Sequence, residues 1–405
     1  MAEAALQAST SRSRSLMWGM ARIDRVGLLA APIAVAALFL PFMNIAANRI
    51  VEGEPRPILE SLTSVQAAGL FLAVGAMALA ALLRVPPASK AVMAGATALV
   101  AAIFAGLAAD NLAADAGSFA RIRPASGFWL LLFACFLTMA NAMAHIRLNP
   151  WVRLALGISF PFLLVLLVAS GIWSNLSLLK EYANQAQAFW REAGQHLFLS
   201  GGSLLFACIA GIPLGIFCRY ASRARPTVLN GLTFIQTIPS LALFGLLIAP
   251  LSWFAAHIPF AASLGIKGIG TAPALLALFA YSLLPIVLNT LAGLENVPAA
   301  TREAARGMGM TGRQQLMRVE LPLALPAVLA GIRIVLIQNI GLATIAALIG
   351  GGGFGVFVFQ GLSQAAIDLV LLGVIPTIVL SFTAAVLMDA LIDISRASHR
   401  RTRST

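Results

Sequence analysis

Charged side chains are scarce in this chain. Only 10% of its 405 residues are Asp, Glu, Lys or Arg, where soluble domains average about 25%. Lysine is almost missing, with Lys90, Lys180 and Lys267 the only three. A soluble domain of this make-up could not cover its own surface with polar atoms, whereas a chain that faces lipid need not. Cysteine is equally rare. Cys135, Cys208 and Cys218 all lie in apolar stretches, which excludes a disulfide framework and leaves three small hydrophobes. The four histidines, His145, His196, His257 and His399, are scattered without HExxH or another close pairing, so no metal site is expected. The Gly-x4-Gly-Lys-Ser/Thr pattern of a phosphate-binding loop is absent. The chain is therefore not expected to cradle ATP in that way, and no cofactor is implied.

What the chain does have is long apolar runs. Stretches poor in charge centre on 26–45, 65–83, 91–109, 127–146, 154–173, 197–218, 228–248, 271–294, 324–346 and 369–390. Each approaches the roughly 20 helical residues needed to cross about 30 Å of hydrocarbon. Nothing alternates in the manner of a barrel strand, so the expected fold is an all-α integral membrane protein of about ten transmembrane helices. The first run follows a basic segment but is long for a signal peptide, and an uncleaved anchor is the expectation. The formal net charge of +12 is dispersed in short segments between the runs. That pattern disfavours a nucleic-acid partner, which would want one basic face or tail. It carries a topology signal instead. With the N-terminus inside and one crossing per run, nineteen of the 27 Lys and Arg residues fall in inner segments and seven in outer ones. The positive-inside rule then favours both termini in the cytoplasm.

The two halves differ. Residues 1–175 hold five spans with short connections, and the polar segment 174–195 reads as an amphipathic surface helix. Residues 190–395 carry prolines and glycines inside their spans and one long inner connection at 295–326. Proline and glycine persist in membrane helices where neighbours or a cavity re-satisfy the backbone, so this half is expected to handle the solute. In the connection, AATREAAR (299–306) is strongly helix-forming, and Gly307 and Gly309 are expected to break it. Small residues at Ala299, Ala300, Ala304 and Ala305 allow close approach to a partner groove. Glu303 offers a carboxylate to a partner's basic residue. Arg302 and Arg306 are spaced to share one helical face.

The order Glu303-Ala304-Ala305, Gly307 and Gly309, then Leu321-Pro322 resembles the EAA motif of ABC-importer permeases. In that family the segment is a coupling helix that docks on a cytoplasmic ATPase. The resemblance implies coupling roles for Arg302, Glu303, Ala304, Ala305, Gly307 and Gly309. It implies as partners an ABC ATPase dimer, an extracytoplasmic solute-binding protein, and a second permease subunit, self or homologue. ATP hydrolysis would belong to the separate ATPase, so the chain itself is not expected to be an enzyme. The second half further resembles the branch that imports quaternary-amine osmoprotectants such as glycine betaine, choline or carnitine. The matching stretches include His196-Leu197, Gly211–Gly215, FIQTIPSLAL (234–243), YSLLPIVLNT (281–290) and the glycine cluster Gly350–Gly353 with Gly355.

Polar residues inside the spans are Gln236, Thr237 and Ser240 beside Pro239, then Tyr281, Asn289 and Thr290, then Gln338 and Asn339. Each either bonds between helices or lines a pathway. Phe234, Phe244, Phe279 and Tyr281 either meet a quaternary ammonium through their ring faces or simply pack against helices and lipid. Arg333 is expected to reach the headgroups or a neighbouring subunit, with a charged gate as the alternative. The glycine cluster reads as a tight outer turn or gate. A secondary transporter or channel remains the alternative class; it would want intramembrane carboxylates for ion coupling, which the mid-span regions lack.

Overall fold

The computed structural model describes residues 24–48, 51–114, 116–117, 119–146, 148–260 and 265–401. Of the basic residues used for topology, Arg12, Arg14, Arg22, Arg49, Arg147 and Arg403 lie outside the described residues. Among those described, nine helices are long and apolar enough to cross a membrane. Their surfaces suit lipid: Val65, Leu72, Phe162 and Val165 are all exposed. The chain divides into two compact units, Met1–Leu148 with Leu163–Lys180, and Asn149–Phe162 with Glu181–Thr405.

The first unit is a helical bundle with a small sheet at one end. Its helices are α1 (Gly27–Ala37), α2 (Ser64–Leu82), α3 (Pro87–Ala113) and α4 (Ser126–His145). The first apolar run does not stay helical to its end. Helix α1 is 11 residues long, and the chain turns at Phe39–Pro41 into a strand, because the residue before a proline is pushed away from helical geometry. Strand β1 (Met43–Ala46) lies between β2 (Glu54–Arg56) and β3 (Arg121–Pro124), antiparallel to both. Ile122 of β3 also accepts a hydrogen bond from the Ser177 hydroxyl at 2.9 Å. Helix α3 buries Ala94, Thr97, Ala101, Ala105 and Ala108, a stripe at helical spacing whose small side chains let neighbouring helices approach closely. The core around it holds Leu70, Val74, Met77, Phe128 and Leu131.

The opposite end of this bundle is polar. Lys90 at the start of α3 is 3% exposed and pairs with Asp24 at 2.7 Å. The Asn141 amide donates to the same carboxylate at 3.0 Å, and the Val26 and Gly27 backbone N–H groups donate to its other oxygen. Burial pushes the Asp24 carboxyl up, but Lys90, Asn141 and the two N–H groups outweigh it and hold the group at about 2. One chain turn, one helix start and one helix end are thereby tied together.

The second unit contains the start of α5 (Pro150–Ala169) and most of α6 (Ser177–Tyr220), then α7 (Arg225–Thr237), α8 (Ser240–Leu246) and α9 (Ile248–His257). It continues with α10 (Thr271–Glu295), α11 (Ala299–Gly307), α12 (Gly312–Gln315), a π-helical turn at Leu316–Glu320 and α13 (Leu321–Ile345). It ends with α14 (Gly355–Ser363) and α15 (Ile367–Arg401). The polar segment 174–195 does not form one surface helix. The stretch Ser177–Tyr220 is two helices that meet at a kink at Gln185 (φ −123°, ψ 21°): a short one before it and, after it, one that runs from the polar residues into the following span. The run at 228–248 is broken at Ile238-Pro239, and the apolar membrane-crossing stretch lies further on, at Ser240–His257. The unit's main core joins α6, α8, α10 and α13 through Leu199, Phe244, Leu278 and Ala343.

Replacing Lys90 with methionine should lower stability by about 3 kcal/mol, because the partly buried Asp24 carboxylate loses its cation. The ordinary carboxylate value is about 3.9, and Asp24 is held near 2 in the fold. Its contribution is thus complete above about pH 4 and is lost as pH falls through about 2. Denaturation midpoints of the wild type and Lys90→Met should differ at pH 7 and converge toward pH 2; a pH-independent difference would contradict the role given to this pair.

Candidate functional site

Two regions of the second unit concentrate the polar chemistry. The first is a cleft of about 360 Å³ lined by Gln236, Thr237, Ile238, Pro239, Ser240, Tyr281, Gln338 and Leu342. Its geometry follows from one proline. Pro239 has no N–H to continue α7, and it forces Ile238 into extended geometry (φ −71°, ψ 128°), so the helix stops within the apolar stretch. The carbonyls left without partners must be re-satisfied locally. The Tyr281 hydroxyl donates to the Ile238 carbonyl, and the Thr237 hydroxyl donates to Phe234 O at 2.7 Å. In return the Gln236 amide donates to Tyr281 O at 2.9 Å. Tyr281 lies ten residues into α10, roughly 15 Å along the helix axis. No charged side chain lines the cleft.

Six of the nine sequence-predicted pathway residues therefore meet at one place. The other three pack between helices and do not line the cleft. Asn289 donates to Pro285 O on its own helix at 2.8 Å, and its Cβ faces Gly331 of α13. Thr290 is fully buried and lies against Gly215 of α6. Asn339 is also fully buried, where its amide donates to Ser203 Oγ at 2.8 Å and its carbonyl accepts from Ser282 Oγ at 3.1 Å. Of the candidate aromatics, Phe234 is exposed while Phe244 is buried in the helix core.

The second region is the segment from α11 to α13. Pro298 caps α11 in extended geometry. Pro298, Ala299, Ala300, Glu303, Ala304, Arg306, Gly307 and Met308 are exposed, whereas Ala305 is buried and Arg302 half-buried. Gly307 is the last helical residue, and the stop is completed at Gly309, whose φ is +77°. Gly309 N–H donates to Arg306 O at 2.9 Å and Met310 N–H to Ala305 O at 3.2 Å. Those paired bonds are the Schellman stop, which favours glycine at the left-handed position. The chain re-enters a helix through a Thr311–Gln314 capping box. Behind α11, Arg306 Nε donates to Gln315 Oε1 at 3.4 Å and Gln315 Nε2 to the buried Glu320 at 2.6 Å. Glu320 lies in the π-helical turn, a local irregularity common at functional sites.

From its position in the sequence, Arg333 is expected to reach the headgroups or a neighbouring subunit, with a charged gate as the alternative. In the structure it pairs with Asp389 of α15 in its own chain, at 3.1 Å. One turn on, Asp393 takes Arg153 of α5 at 2.7 Å. Sequence reasoning also gave no role to Glu192, Gln195 or the His196 side chain. Their signal was weak: a single acid, amide and imidazole in a segment that read as surface helix. The structure turns all three toward the glycine cluster, where Gly350, Gly352 and Gly353 all have positive φ.

Residues 211–399 match the family model described as "Binding-protein-dependent transport system inner membrane component". Residues 24–179 match the model "ABC transporter permease YehY, N-terminal domain". The osmoprotectant import permease protein OsmW of Salmonella typhimurium is 45% identical over 44% of this chain and 78% of its own length. This chain belongs to the family of ABC-importer inner-membrane permeases. The permease is also 36% identical to the glycine betaine/carnitine/choline transport system permease protein OpuCB of Bacillus subtilis, over 47% of this chain and 80% of the relative. The osmoprotectant import permease protein OsmY of Salmonella typhimurium is 39% identical over 58% of this chain and 90% of its own. A chain from an inward-facing structure of the MetNI methionine ABC transporter aligns with 52% of the permease and 98% of itself, at 23% identity and a TM-score of 0.43. The family is one of multi-pass membrane subunits that are not themselves enzymes.

Gly307, the last residue of α11, and Gly309, just beyond it, should respond oppositely to alanine. Gly309→Ala forces a Cβ into left-handed geometry at about 1–2 kcal/mol, whereas Gly307→Ala improves helix propensity by up to about 1 kcal/mol. Neither Cβ would meet another atom within 4 Å, so denaturation midpoints of the two purified variants compare backbone effects directly.

Proposed function

We propose that the permease forms the membrane pathway of an ATP-driven, binding-protein-dependent importer for a quaternary-amine osmoprotectant such as glycine betaine. The 45% identity to an osmoprotectant import permease carries the solute class. The cleft supports it chemically. A quaternary ammonium carries its charge without hydrogen-bond donors, and neutral polar groups beside an aromatic ring suit a solute with no net charge. Gln236, Thr237, Pro239, Ser240, Tyr281 and Gln338 are the residues assigned to contact it.

Transport proceeds by alternating access between two permease subunits, identical or related. Residues 190–395 act as the translocating core, and residues 1–175 as an accessory membrane region. A solute-binding protein delivers its load on the outer side, and a dimer of separate ATPase subunits closes on the inner side. The face made by Glu303, Ala304, Arg306 and Gly307 docks on the ATPase. Arg302 and Ala305 hold that face against the rest of the subunit, and Gly309 ends it. The distribution of basic residues supports a cytoplasmic position for α11 and both termini.

Radiolabelled glycine betaine uptake tests the assignment in cells that lack the gene and in the same cells complemented. Uptake should fall without the gene and return with it. Glu303→Lys, a reversal on an exposed face, should abolish uptake while membrane insertion stays normal. Normal uptake by this variant would overturn the coupling role of α11. Unchanged uptake on deletion would overturn the glycine betaine assignment.

A further inference from the structure

The glycine turn that follows α13 is held at its start by backbone bonds, the Gly350 N–H donating to Ala347 O at 3.1 Å and the Gly351 N–H to Ala346 O at 2.9 Å. Gly350, Gly352 and Gly353 have φ values of +75°, +77° and +86°, a conformation that glycine reaches and leaves at small cost. Three α6 side chains within two helical turns constrain the rest of the turn. Glu192 accepts the Gly353 N–H at 2.8 Å. Gln195 donates to the Gly351 carbonyl and to the Thr271 hydroxyl, each at 2.8 Å. His196 sits at 3.3 Å from the Phe354 N–H through Nδ1 and at 3.0 Å from the Ile340 carbonyl through Nε2.

These partners settle the histidine's chemistry. Nδ1 faces a donor and must carry the lone pair, while Nε2 faces a carbonyl and must carry the proton. The ring therefore joins two separate parts of the chain. Ile340 lies in α13 between Gln338 and Leu342, which both line the cleft. Phe354 lies just beyond the glycine turn. His196 is fully buried and Glu192 is nearly so, so water does not compete for these bonds.

We propose that His196 and Glu192 are positioning residues for transport, forming a latch that holds the glycine turn closed and ties its position to the cleft-lining turn of α13. This rests on the permease reading above, under which the turn lies on the outer side, away from α11. Movement of α13 at Gln338–Leu342 strains the Nε2 bond to Ile340. The same ring then releases Phe354, and the turn opens. Glu192 supplies the second anchor one residue earlier.

Two measurements on the full-length protein test the latch. The first is hydrogen exchange at the Gly353 and Phe354 amides, which requires no solute. The second is passive efflux of entrapped radiolabelled glycine betaine, without ATP, from vesicles carrying the assembled importer. His196→Ala and Glu192→Ala should each speed exchange at these amides about tenfold, the scale of one lost hydrogen bond, and should raise passive efflux above wild type. Glu192→Gln keeps an acceptor and should stay close to wild type in both. Gly352→Ala provides a variant that leaves both acceptors in place; its Cβ would meet Gln195 Cγ at 2.8 Å and Glu192 Oε2 at 3.0 Å and should loosen the turn by crowding. Unchanged exchange in the alanine variants would overturn the latch. Faster exchange with tight vesicles and normal ATP-driven uptake would overturn its role as a gate, as would equal leakage from Glu192→Gln and Glu192→Ala. A wild-type importer that fails to move glycine betaine would count against the solute assignment alone, and the exchange result would still decide the latch.

Discussion

A peptide group freed by a broken helix finds no water in hydrocarbon, and leaving it unpaired costs several kcal/mol. The second unit depends on how that demand is met. Pro239 interrupts the helical chain between α7 and α8, and the freed Ile238 carbonyl is taken by the Tyr281 hydroxyl. The glycine turn interrupts it again, and the N–H groups of Gly353 and Phe354 at its far end are taken by Glu192 and His196. In both places a side chain from another helix completes the backbone. Each break thus becomes a tie between helices, and a place where the chain is irregular becomes a place where helix movement can be transmitted.

The end that carries α11 is built on charge instead. Helix α15 receives one arginine from α13 at Asp389 and another from α5 at Asp393. These pairs link three helices at one level, which favours their moving as a block. Beside them, Gln315 bridges Arg306 to the buried Glu320 and fixes α11 against the root of α13. The outward face of α11 keeps only small, flexible or singly charged groups. A rigid mount behind an open face is what a helix needs if it is to pass a partner's movement into the spans.

Much of the fold was legible because lipid leaves a strong mark on sequence. Runs such as 65–83 and 271–294 announced their helices by length and lack of charge, and the stop at Gly309 by its residue type. The start of α6 was not legible. Residues 174–195 are polar in composition and read as a separate surface helix, yet the helix breaks within them at Gln185 and only the residues beyond it continue into the span, because composition records polarity and not which neighbour receives it. Gln236, Thr237, Ser240, Tyr281 and Gln338 could be picked out as polar groups in apolar stretches, but so could Asn289, Thr290 and Asn339. Nothing in the local pattern separates a group that faces a cleft from one that bonds to the next helix.

By itself the sequence determined that the chain lives in a membrane, that its spans are helical and which segment resembles a coupling helix. These follow from composition and short-range spacing, which act through solvent and local backbone preference. Only the tertiary structure decided that Arg333 pairs within its own chain, that five polar residues from four helices share a cleft with Pro239, and that His196 joins that cleft to the glycine turn. Those contacts span tens to more than a hundred residues of chain. They are set by which helix faces meet, a property that no local stretch of residues contains.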